Sequence, residues 1–126
     1  MIQEQLAFLP GSLPDYQPFP PAKERTAWQA LPLRAKQRFL QAGETALQTA
    51  LAPLPLTLWL DFTRTGRRTA WETAYFSRRA RLCALVCAEC VEHKGRFLDA
   101  IADTIWTLCE ESAWQLPAHN SYCLLY

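Results

Sequence analysis

Thr69-Ala70-Trp71-Glu72-Thr73-Ala74-Tyr75-Phe76-Ser77-Arg78-Arg79-Ala80-Arg81-Leu82-Cys83-Ala84-Leu85-Val86-Cys87-Ala88-Glu89-Cys90-Val91-Glu92-His93-Lys94-Gly95 is the stretch that decides the fold. Trp71, Tyr75, Leu82, Leu85, Val86 and Cys90 recur near helical spacing as one apolar stripe, flanked by Arg78, Arg79 and Arg81. The pattern predicts a helix over 70–93. Thr69 stands where a cap is wanted, with Glu72 three residues on to complete a capping box. Lys94-Gly95 supplies the stop, a basic last turn followed by a glycine able to take the left-handed conformation. A second pattern follows over 96–113, with Phe97, Ile101, Ile105, Leu108 and Cys109 turned inward. A turn of about two residues between helices this long forces an antiparallel hairpin.

Upstream, helical patterning begins near Lys23, is broken by Pro32, and resumes over 33–52 with Phe39, Leu40, Ala46, Leu47, Ala50 and Leu51. Pro53 and Pro55 end it. Leu54-Pro55-Leu56-Thr57-Leu58-Trp59-Leu60-Asp61-Phe62 alternates in part, and reads as a strand or as an extended connection packed over helices. Residues 1–22 hold five of the nine prolines, interleaved with Leu13, Tyr16 and Phe19. Proline removes backbone donors and fixes φ, so this segment reads as an extended arm lying along a surface. Residues 114–126 look irregular, broken by Pro117. The expected fold is all-α: a Pro-rich arm over 1–22 and a helical domain over 23–126.

The chain has 126 residues, a length that suits one domain with a real core. Half of it is hydrophobic and the formal net charge is +1, which excludes disorder for most of the chain. The same balance removes the global electrostatic argument for nucleic acid or an anionic membrane as partner. No apolar run is long enough for a membrane span, and Leu6-Ala7-Phe8-Leu9 is too short for a signal-peptide core. Five cysteines, an odd number with none in the first 82 residues, make a poor disulfide framework and point to a reducing cytoplasm.

Cys83, Cys87 and Cys90 have the C-x3-C-x2-C spacing that holds a four-iron cluster in radical enzymes, with His93 nearby for a zinc alternative. A cluster needs a loop, and these thiols sit within a continuous helical pattern. Core filling is the better account, and no metal or cofactor is assigned. Arg64, Arg67, Arg68, Arg78, Arg79 and Arg81 form a local basic excess. They suit an acidic polymer, but a solvated helix face with i,i+4 partners is the stronger reading. Asp99 and Asp103 read as solvated acids on a helix face. Glu110-Glu111 is odder, because two acids near a helix C-terminus oppose its dipole. Something local should compensate them, and positioning of the following loop is the expected role.

That loop contains Trp114, Pro117, His119 and Asn120. An indole beside polar groups suits a sugar ring, which stacks its C–H face and bonds its hydroxyls. The equal alternative is that Trp114 plugs the end of the helix pair and His119 acts as a cap.

Five ordered stretches carry a resemblance: Tyr75-Phe76-Ser77-Arg78-Arg79-Ala80-Arg81-Leu82, Ala88-Glu89-Cys90-Val91-Glu92, Lys94-Gly95-Arg96-Phe97-Leu98, Ile105-Trp106 with Cys109-Glu110-Glu111-Ser112, and 114–120. Together with the Asp61-Phe62-Thr63-Arg64-Thr65-Gly66 turn, they resemble the N-terminal region of heparinase II/III-like proteins over residues 55–123. The resemblance implies helix pairs forming the first part of an incomplete (α/α) toroid, which in that family is followed by antiparallel β-sheet domains. It also implies a saccharide cleft. The family's enzymes cleave uronate-containing polysaccharides by β-elimination, with Tyr and His as general base and acid. The catalytic Asn-His and Tyr positions fall in toroid sequence beyond the matched region, and His119-Asn120 has the reverse order. The carry-over is therefore substrate binding by Trp114, His119 and Asn120, with no catalytic residue. The expected protein is an N-terminal helical fragment without independent lyase activity, meeting an acidic polysaccharide and self-associating through exposed helix faces. The alternative is a stand-alone all-α interaction module.

Overall fold

In the computed structural model, which describes residues 18–119, all regular structure is helical. The helices are α1 (Arg25–Gln29), α2 (Leu33–Gln48), α3 (Leu56–Thr65), α4 (Thr69–Glu92) and α5 (Leu98–Cys109), followed by a 3-10 turn at Pro117–His119. The all-α expectation holds. Most of the Pro-rich arm lies outside the described residues; within it, the Pro21 carbonyl accepts the Trp28 indole N–H at 3.2 Å, and Trp28 is buried.

α4 is the central element, with α2 and α5 packed on it. Its buried positions Trp71, Tyr75, Arg78, Leu85, Ala88 and Glu89 follow a four–three spacing that keeps one stripe turned inward. Ala46, Leu85, Ala88 and Phe97 form the core, with Leu47, Ala84, Ala100 and Ile101 against it. α2 crosses closely because Gly43 has no side chain: a Cβ there would stand 2.3 Å from Ala88 Cβ and 3.0 Å from the Phe97 ring. A glycine inside a helix costs about 1 kcal/mol relative to alanine, and here it admits the helix contact.

The hairpin is antiparallel, as its cross-links show. Glu89 meets the Phe97 N–H, Arg81 meets Thr104, Arg78 and Arg79 meet Glu111, and Tyr75 meets Trp114. The turn differs from expectation, spanning residues 93–97 rather than about two. His93 ends α4 in the left-handed conformation at φ 57°, and Gly95 follows at φ 80°. The Glu89 carboxylate accepts the Gly95 N–H at 2.7 Å and the Phe97 N–H at 3.2 Å, so an acid from α4 caps the entry to α5. The last carbonyls of α4 are satisfied from far away. Arg25 donates to Cys90 and Val91 O at 2.7 and 3.0 Å, while its other bond holds Ala22 O at 2.9 Å.

Several local expectations are corrected. Residues 56–65 form helix α3, neither strand nor extended link. Pro55 sits at its N-cap with extended angles, and Gly66 closes it at φ 76°. Leu56, Trp59, Leu60 and Thr63 fit helical spacing as well as the run fits alternation. Thr69 is the first helical residue, not a side-chain cap; Arg68 holds the cap position and pairs with Glu72 at 3.5 Å. α2 stops at Gln48, and the Arg81 guanidinium takes the Ala46 and Thr49 carbonyls at that end. α5 stops at Cys109, short of 113. Ile105 and Cys109 are exposed, as is Val86 on α4. The inward position on α5 is Thr104, fully buried, whose hydroxyl bonds Ala100 O at 2.6 Å.

Candidate functional site

The first half of α4 and the chain leaving α5 meet at the end of the hairpin opposite the turn. Glu111 is the hub. Its side chain, 3% exposed, receives Arg78 Nη1 at 3.1 Å on one oxygen and Arg79 Nη2 at 2.7 Å on the other. Arg78 also donates Nε to Ala52 O at 2.6 Å, and Arg79 donates to Tyr75 O at 3.0 Å. The Arg79 guanidinium lies 3.2 Å from the Tyr75 ring centroid. A carboxylate taken out of water needs such partners, and two guanidinium groups leave one surplus positive charge at the spot. Glu110 receives the Trp106 indole N–H at 2.9 Å. The two acids opposing the helix dipole are thus met by an indole one turn back and by two arginines of α4, and Glu111 ties the chain leaving α5 to α4.

The loop that follows is fastened at several points. The Tyr75 hydroxyl donates to the Trp114 carbonyl at 2.8 Å, His119 N–H donates to Leu116 O at 3.0 Å, and Pro117 is fully buried. The Pro117–His119 turn packs against α3. The Trp114 ring does not plug the helix pair: the residue is 66% exposed. His119 is exposed, and Asn120 lies outside the described residues.

Beside this network opens a cleft of about 630 Å³, lined by residues of α3, α4 and the end of α5. Trp59 and Trp71 stand edge to face at 5.1 Å, with Thr107, Glu110 and Ser112 supplying polar groups. Trp71 buries its Nε1 without a hydrogen-bond partner among the described residues. A buried donor left unmet costs about 1–3 kcal/mol, which an acceptor reaching it would recover. From the segment read as sugar-binding, Ser112 and Ala113 line this cleft, whereas Trp114 and His119 stand outside its lining. Trp59, Trp71, Thr107 and Glu110 were not singled out from sequence as cleft residues. Trp59 was hidden by the reading of its segment as a strand or an extended connection, and the Trp59–Trp71 contact has no local spacing to announce it.

The basic excess divides in two. Arg64, Arg67 and Arg68 are exposed, whereas Arg78, Arg79 and Arg81 are spent on internal carboxylate and carbonyl partners. An acidic polymer could meet the first three alone. The thiols differ from the expected core filling. Cys83 and Cys109 are exposed and Cys87 and Cys90 half-buried, and burial pushes the Cys87 and Cys90 thiols up. Among the described residues, no group of three or more His, Cys, Asp or Glu side chains is placed to hold a metal ion. No described helix is long and apolar enough to cross a membrane. No protein-family model matches the chain, and comparison with curated proteins finds no similar sequence.

Proposed function

We propose that this chain is the N-terminal helical part of a heparinase II/III-like protein, forming the start of a partial (α/α) toroid and one wall of a cleft for an acidic polysaccharide. On this reading the chain has no lyase activity of its own, because none of the resembling stretches carries the family's acid and base. One observation carries this reading. The separate stretches bearing the resemblance converge in space, with Tyr75, Arg78 and Arg79 from one, Glu111 from another and Trp114 from a third in a single bonded network. That network fastens a loop bearing an exposed indole beside a cleft edged by two more. Indole faces and scattered polar groups are what a sugar ring needs. The resemblance assigns substrate contact to Trp114 and His119, which stand outside the cleft's lining, and to Asn120, which lies outside the described residues.

The test uses the purified chain with heparan sulfate, chondroitin sulfate and alginate oligosaccharides. Tryptophan fluorescence should change saturably with one of them and lose most of that response in Trp114→Ala. No unsaturated uronate product should appear by ultraviolet absorbance. Turnover by this chain, or a fluorescence response indifferent to every oligosaccharide, contradicts the proposal.

A second reading, an all-α interaction module without catalysis, is favoured by the bare apolar side of α5, where Leu98, Ile105 and Trp106 are all exposed.

A further inference from the structure

α5 is apolar on two sides. Ala100, Ile101, Thr104 and Leu108 are its covered positions, whereas Leu98, Ala102, Ile105 and Cys109 recur at four, three and four residues among exposed positions. Trp106, 69% exposed, stands beside that second stripe with its indole N–H held by Glu110. A helix with apolar residues on both sides is expected to be covered on both. The exposed stripe is edged by Asp99 and Asp103, neither paired by its side chain with any described residue, and α5 contains no Lys or Arg.

α2 carries the opposite charge in the same arrangement. Leu33, Arg34, Gln37, Arg38, Gln41 and Ala42 are exposed along one side. Neither Arg34 nor Arg38 is paired with any described residue, and the helix's single acid, Glu44, is held by Arg96. The order Leu33-Arg34-x3-Arg38 on α2 has the same spacing as Leu98-Asp99-x3-Asp103 on α5. Four residues advance a helix by about 6 Å, so both Arg–Asp pairs can form at once between two helices laid side by side.

We propose that the exposed side of α5 in one copy of this chain docks against the exposed side of α2 in a second copy, with Asp99 and Asp103 facing Arg34 and Arg38. Exposed ion pairs contribute little energy, so burial of Leu98, Ile105 and Trp106 supplies the attraction and the charges set the register. The two surfaces differ, so the contact is head-to-tail and leaves one free surface of each kind at the ends. This inference stands independently of the saccharide reading.

The experiment is sedimentation velocity on the full 126-residue chain across a concentration series, at low and high salt. The average sedimentation coefficient should rise with concentration past that of a dimer, and the rise should weaken in high salt. The double variants Arg34→Asp/Arg38→Asp and Asp99→Arg/Asp103→Arg should each sediment as a monomer with unchanged helical circular dichroism. An equimolar mixture of the two should associate again, because every surface in it then meets its opposite. A monomeric wild type overturns the proposal. So does association surviving in either variant alone, which marks a symmetric α5–α5 contact or another surface. A mixture that stays monomeric overturns it equally.

Discussion

At its turn, the α4–α5 hairpin is closed by Leu85 and Phe97, both without solvent exposure, against Ala88 and Gly43. Among the described residues, the acid buried there is Glu89, which caps two backbone N–H groups. At the opposite end α4 and the chain leaving α5 are joined by the two ion pairs of Arg78 and Arg79 with Glu111 and by a Tyr75–Trp114 hydrogen bond, beside an open cleft. The turn end is thus held by apolar burial, which is insensitive to direction and fills space. The open end is held by directional polar bonds, which fix a loop while leaving room beside it. Sites are built on the second kind of end, because a filled core offers nothing for a ligand to enter.

The largest effect is expected at the turn. Phe97→Ala removes the main core ring, and large-to-small substitutions of this kind cost about 3–5 kcal/mol. A denaturant melt should show the midpoint falling steeply or the fold lost. A loss under 1 kcal/mol, by the same scale, would mean that the turn end is not the core. Glu111→Ala comes next. It leaves two guanidinium groups facing each other without their carboxylate, and breaking a buried pair costs about 3–5 kcal/mol. Arg79 is partly exposed, so the value should sit at the lower end. Tyr75→Phe is smallest. It deletes one hydrogen bond to the Trp114 carbonyl, worth about 1 kcal/mol, and should alter Trp114 fluorescence more than the global melt. If the three variants lose equal stability, the contrast between the ends fails.

The hairpin was legible because its apolar positions repeat over many turns, so α4, α5 and the left-handed Gly95 between them follow from local pattern alone. The boundaries were less so. Leu54, Leu56, Leu58, Leu60 and Phe62 alternate within a run that is apolar nearly throughout, and such a run satisfies a period of two and of 3.6 together. Thr69 had the chemistry of a cap, yet Arg68 took that place and paired with Glu72. The end of α2 is bonded by Arg81, more than thirty residues away, a contact that no local rule contains. The site was half visible. Glu110-Glu111 opposes the helix dipole, which signalled a local partner, but that the partners are Arg78 and Arg79 is a non-local fact. The exposed Trp114 was singled out from sequence, whereas the Trp59–Trp71 pair edging the cleft arises from tertiary packing.

The division between a packed end and a polar, loop-bearing end is tested most directly by native-state hydrogen exchange on Glu111→Ala beside the wild type. Amides of residues 111–119 should lose protection, because the carboxylate that ties this segment to α4 is gone. Amides of 85–92 and 97–104, around Leu85 and Phe97, should keep theirs relative to the lowered global stability. Loss of protection spread evenly over both regions, or none at residues 111–119, would contradict the account.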